Sequence, residues 1–167
     1  MFFRSISVSY FRNFIFGVED SLVSTVGLLS GIAVANVPKS TILLTGVVLI
    51  FVEAISMSAG SFLSESSVDE YTSHTEKITR SSIVSSLVMF FSYFLSGFIV
   101  LLPYLLLPVS EALVASIFLS IIALFILGVV GAEVSRTRII KNGFKMVIVG
   151  GVAILVGIIA GNWLSGF

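Results

Sequence analysis

The chain has 167 residues, 57% hydrophobic and 11% charged, with a mean hydropathy of +1.16; an ordinary soluble domain carries about 25% charged residues. A water-soluble fold of this size cannot bury so much apolar surface, so the chain reads as an integral membrane protein with the lipid bilayer as its solvent. Nine basic and nine acidic residues leave no patch for nucleic acid, and zero cysteines with one histidine exclude disulfides, thiolate sites and multi-histidine metal motifs.

Five apolar runs are long enough to cross the hydrocarbon as helices, at 14–36, 41–64, 82–103, 111–133 and 144–165. They predict an all-α protein with residues 1–167 forming a single transmembrane domain. The segment before Phe14 holds Arg4 and Arg12 and no small-residue cleavage site, so it does not read as a signal peptide. The first run is interrupted by Glu19 and Asp20 and the second by Glu53. Asn36 to Ser40, with Pro38, reads as a tight turn; Pro103 and Pro108 are expected to bracket the third link. The polar stretch from Glu65 to Arg80 reads as the second helix running on into water, and Arg136 to Asn142 as a short basic connector.

Basic residues set the orientation, because cytoplasmic loops collect them. Five spans put Arg4, Arg12, Lys77, Arg80, Arg136, Arg138, Lys141 and Lys145 on one side and Lys39 alone on the other. The N-terminus is therefore expected in the cytoplasm and the C-terminus outside or in a lumen.

Ionisable groups at bilayer depth cost at least about 2.5–3.5 kcal/mol each, so Glu19, Asp20 and Glu53 are functional candidates. Neither of their spans supplies a Lys or Arg, so these acids are protonated, face water, or share a cation. On a helical repeat Asn13, Gly17, Asp20, Ser24, Gly27 and Gly31 form one stripe, and Gly46, Glu53, Met57, Gly60, Ser64 and Ser67 another. The two stripes are expected to pack together, since small residues allow close approach and polar ones need partners. Counting from the span ends puts Asp20 and Met57 at matching depth, with Glu53 one turn deeper beside Ser24. Glu19 points about 100° away from Asp20. Carboxylate oxygen suits hard divalent ions and thioether sulfur adds preference for softer transition metals, a mix that suggests Fe²⁺ or a close relative. On spacing alone Met57 better suits a gap in a helix interface than a ligand. Glu111 and Glu133 lie at span ends and read as solvated or capping residues.

The run Phe16-Gly17-Val18-Glu19-Asp20-Ser21-Leu22-Val23-Ser24-Thr25-Val26-Gly27-Leu28-Leu29-Ser30-Gly31, followed by Glu53-Ala54-Ile55-Ser56-Met57-Ser58-Ala59-Gly60, resembles the vacuolar iron transporter family. The glycine-rich last span (Gly143, Gly150, Gly157, Gly161) is similar too. The resemblance implies export of Fe²⁺ or Mn²⁺ from the cytoplasm in exchange for protons as counter-ion, with no prosthetic group. It implies a homodimer whose ion path runs along the subunit interface, with Asp20 and Met57 binding the ion. Asn13 and Leu49 stand where some members carry acids, and Glu53, at a position usually small in the family, is expected to compensate. Plant and yeast-like members insert a cytoplasmic metal-binding domain between spans two and three, for which Glu65 to Arg80 is too short. That stretch pairs Glu65 with Asp69 and Glu70 with His74 at four-residue spacing, so each reads either as a weak metal site or as a solvated helix face. The family's name points to vacuoles and its prokaryotic members to the plasma membrane, so the expected host is an organelle membrane in a eukaryote and the plasma membrane in a prokaryote.

The leading reading is thus a divalent-metal transporter with Asp20, Glu53 and Met57 as ligands, and Glu19, Asn13, Ser24, Glu65, Asp69, Glu70 and His74 as secondary candidates. A passive cation channel would use the same acids to line a continuous path. A non-transporting membrane scaffold would use the glycine stripes for packing alone. No enzyme is expected, since no HExxH, nucleophile elbow or phosphate-cradling loop appears.

Overall fold

The computed structural model describes residues 2–74 and 78–166, with side chains from Val8 onward. Lys77 lies outside the described residues, as does the side chain of Arg4. Five helices follow in chain order: α1 (Phe2–Val34), α2 (Lys39–Ser73), α3 (Arg80–Leu106), α4 (Val109–Val134) and α5 (Ile139–Leu164). Each is long and apolar enough to cross a membrane. At 1.5 Å per residue the 35 residues of α2 extend about 52 Å, well beyond a hydrocarbon core of about 30 Å, so this helix does continue past the bilayer. Pro103 lies inside α3, four residues before its C-cap, rather than ending it. The carbonyl of Pro103 accepts the Leu107 N–H, which closes the final turn.

α1 is central. It packs on α3 and α5 most extensively, then on α4 and least on α2; among the described residues no substantial packing joins α2 to α5. Leu22, Val26 and Leu29 of α1 are fully buried with Ile42, Ile50, Val100, Leu101 and Leu124. The buried side of α3 is a run of small polar residues, Ser82, Ser85, Ser86, Ser92 and Ser96, together with Met89, Tyr93 and Gly97. Phe51 of α2 meets Phe94 of α3 edge-on at 5.1 Å, and Phe90 and Phe98 continue that column at helical spacing.

The expected union of the α1 and α2 stripes forms only in part: their polar members come near one another, but the glycines of α1 pair with another helix. Gly27 and Gly31 of α1 face Gly157 and Gly161 of α5: a Cβ built on Gly157 would stand 2.0 Å from the Gly27 carbonyl oxygen, and one on Gly161 2.0 Å from that of Gly31. Two glycine pairs four residues apart let these parallel helices touch backbone to backbone. α5 offers the complementary pair and α2 does not; Gly60 of α2 has open space where a side chain would be.

The charged end of the bundle holds Arg12, Glu65, Asp69, Arg80, Arg136, Arg138, Lys141 and Lys145. At the opposite end Lys39 donates to the carbonyls of Leu105 (3.3 Å) and Leu107 (3.0 Å), satisfying acceptors that α3 leaves open at its C-terminus.

Candidate metal centre

Two cross-helix hydrogen bonds set the register of α1 against α2. Ser9 donates to Glu65, and Ser61 donates to the Asn13 carbonyl oxygen at 3.1 Å. Facing residue numbers therefore add to 74, and near the far end Gly46 still lies against Leu29. This register differs by three residues, about 4.5 Å, from the one counted from span ends. Met57 is level with Gly17, not Asp20, and Glu53 is level with Ser21, one residue from Asp20.

Asp20 and Glu53 consequently come to one depth, with Ser24 one turn further along α1. All three are half-buried. The carboxylates of Asp20 and Glu53 lie within electrostatic reach of each other. Above them sits a residue the sequence reading missed: the buried Tyr93 of α3, whose hydroxyl is 2.8 Å from Ser24 Oγ and within reach of both acids. Its signal was available, since it is the one tyrosine in the interior of the third span, flanked by Ser92 and Ser96. The neighbouring Ser21 hydroxyl donates to the Tyr93 carbonyl at 2.6 Å, which fixes α3 against α1 at this level.

Glu19 turns to the other side of α1. It lines a cleft of about 470 Å³ between α1, α4 and α5, together with Lys145, whose charge reaches it. Lys145 enters the span from the charged end of α5 and supplies a counter-charge that the first two spans lack. Among the described residues the charges in reach of Asp20 are Glu53 and Glu19, both negative.

A second, larger cleft of about 720 Å³ opens between α1, α2 and α3 nearer the charged end, lined by Asn13, Phe16, Met57, Ser61 and Met89 among others. Arg12 stands at its rim, 65% exposed, and its guanidinium pairs with Glu65. Asn13 is 4% exposed and its Nδ2 has no hydrogen-bond partner.

The remaining candidates are held in other interactions. Glu65 accepts from both Arg12 and Ser9. The Asp69 carboxylate accepts from Thr79 Oγ1 at 2.5 Å and Ser82 Oγ at 3.1 Å, tying the end of α2 to the start of α3. His74 does not share a helical face with Glu70, because α2 ends at Ser73 and His74 adopts a left-handed backbone (φ 52°), its N–H donating to the Glu70 carbonyl at 2.8 Å. Among the described residues no three of His, Asp and Glu come together to hold an ion unaided.

A model of the VIT family matches residues 11–84 and 68–162, which includes both acidic spans and runs through most of α5. The chain belongs to the VIT family. It is 23% identical to Vacuolar iron transporter 1 of Arabidopsis thaliana over 202 residues, covering 85% of this chain and 81% of that protein. It is also 34% identical over 74 residues to Vacuolar iron transporter 1 of Tulipa gesneriana, covering 44% of this chain and 30% of the relative. The 202-residue alignment exceeds this chain's 167 residues, so the Arabidopsis protein has additional residues within the matched region. The two family matches overlap at 68–84, across the α2–α3 link. Membership in this family and the five spanning helices make the chain a membrane metal transporter.

Proposed function

We propose that this VIT-family chain exports Fe²⁺ or Mn²⁺ from the cytoplasm in exchange for protons, and that Asp20, Glu53 and Met57 handle the ion in succession. The observation that carries the reading is the nearness of Asp20 and Glu53 at mid-depth, with a further carboxylate and, among the described residues, no basic side chain in reach of Asp20. Two like charges in a poorly polarisable medium repel strongly, and either a divalent cation or protons relieve that repulsion. One site that accepts both is the chemical requirement for exchange.

A homodimer completes the path in this reading. The acids on one chain are too few to replace a metal's hydration shell. Support comes from α1, which leaves Arg12 and Phe16 exposed and Asp20 half-covered at four-residue spacing, and from the missing packing between α2 and α5. A second copy laid there by a two-fold axis would bring another Asp20 and Glu53 opposite the first pair. The basic charged end then faces the cytoplasm. The names of both relatives support an organelle membrane as host.

The test is Fe²⁺ and Mn²⁺ uptake into liposomes carrying the purified protein, with and without a proton gradient. Metal entry is expected to rise when the vesicle interior is acidic and to fall at least tenfold in Asp20→Asn. Wild-type rates equal to those of empty vesicles refute transport; gradient-independent flux with no proton counterflow favours a channel.

A further inference from the structure

We propose that Met89 of α3 is a second thioether ligand, forming with Met57 a soft-donor filter that the metal meets before it reaches Asp20 and Glu53. The inference rests on the transport reading and adds to it a residue and a station.

Depth carries the argument. The α1–α2 register places Met57 level with Gly17. A Cβ built on Gly17 would lie 3.1 Å from Met89 Sδ, so that sulfur occupies the space which the missing side chain leaves. The Met89 sulfur and the residue Met57 on a different helix therefore share one level of α1, and both residues line one cleft. Met89 is 2% exposed, so its sulfur is fixed among neighbours rather than swinging in solvent.

The cleft's other donors are neutral. Asn13 lies one turn nearer the charged end, with Ser61 on its carbonyl oxygen and nothing on its Nδ2. Turning this carboxamide over lets Nδ2 donate to the Ser61 oxygen and frees the carbonyl for a cation. Among the described residues no carboxylate lines the cleft, and the Arg12 charge at its rim is paired with Glu65. Neutral sulfur and amide donors give a hard ion such as Mg²⁺ or Ca²⁺ little reason to shed water, whereas Fe²⁺ gains from thioether sulfur. The order along the path is then soft donors first and carboxylates second. The first station selects, and the second holds until protons arrive.

Met89→Leu keeps the volume and removes the sulfur. In liposomes it is expected to raise the KM for Fe²⁺ about tenfold, the scale of weakened metal sites, and that for Mn²⁺ less than twofold. X-ray absorption at the iron edge on the Fe²⁺-loaded protein is expected to show sulfur neighbours that diminish in Met89→Leu. An unchanged Fe²⁺ to Mn²⁺ preference together with an unchanged sulfur shell makes Met89 a gap-filling residue and overturns the proposal, even while wild-type transport stands. Wild-type protein that moves neither metal fails the broader reading instead. If Met89→Leu does not fold, Met57→Leu/Met146→Leu protein grown with selenomethionine, in which Met1 and Met89 alone carry selenium, decides the point at the selenium edge. An iron neighbour supports Met89, and light atoms alone refute it.

Discussion

Gly157→Ala tests whether the α1–α5 contact holds the bundle together. The new Cβ would sit 2.0 Å from the Gly27 carbonyl oxygen, where ordinary contact begins at 3.4 Å, so the helices must part by about 1.4 Å. The oxygen belongs to a helix backbone and cannot swing aside as a flexible side chain would. Overpacking of this kind costs about 1–3 kcal/mol, and the contacts of the neighbouring Gly31–Gly161 pair loosen with it. Alanine's better helix propensity returns about 1 kcal/mol. Backbone set against backbone puts the cost at the top of that range, so the expected net loss is about 2 kcal/mol, close to a thirtyfold change in the folding equilibrium. Gly151→Ala on the same helix is the control: its Cβ meets nothing within 4 Å, and stability should stay level or rise. Trp163, the single tryptophan, reports unfolding in mixed micelles by fluorescence, two residues beyond Gly161. Equal denaturant midpoints for Gly157→Ala and Gly151→Ala would refute the reasoning.

Asp69→Ala strips the acceptor from Thr79 and Ser82, and hydrogen exchange in the first turn of α3 is expected to quicken about fivefold, equivalent to ~1 kcal/mol; unchanged exchange would show that the link is held elsewhere. Tyr93→Phe removes the hydroxyl shared with Ser24 and is expected to lower the unfolding free energy by about 1 kcal/mol in a denaturant titration; an equally stable variant would mean that Ser24 satisfies itself. The absence of native cysteine gives a clean background for mapping sides. In sealed organelles or inside-out vesicles, a membrane-impermeant maleimide applied from the cytoplasmic face should label Arg138→Cys and spare Ser40→Cys, and the reverse pattern would invert the assigned topology.

The number of helices and the places of their links were legible because lipid demands about twenty apolar residues per crossing and the links announce themselves by charge or proline. Pro103 misled because a proline near a helix end disturbs only the carbonyl one turn earlier, and α3 closes its final turn through Leu107. Depth was harder. Span ends are blurred by a turn or more, so counting inward from Phe14 and Leu63 misplaced Met57, whereas the Asn13–Ser61 bond that fixes the register depends on packing no single helix encodes. Periodicity found the glycines of α1 but not their partner, because a stripe tells which residues share a face and not which helix covers it. Asp20 and Glu53 stood out because charge is rare in a span; Tyr93 and Met89 did not, because in an apolar helix they pass for ordinary core. Lys145, at the second position of its predicted span, looked like a boundary residue, and only the tertiary fold brings it to Glu19.

The glycine clasp also dictates an order of assembly. The groove on α1 is complementary to α5, so it stays unfilled while the first four helices emerge from the ribosome and insert. The bundle can close around its central helix only after the fifth has been delivered, which makes biogenesis of this chain sensitive to whatever keeps that groove from premature partners in the meantime.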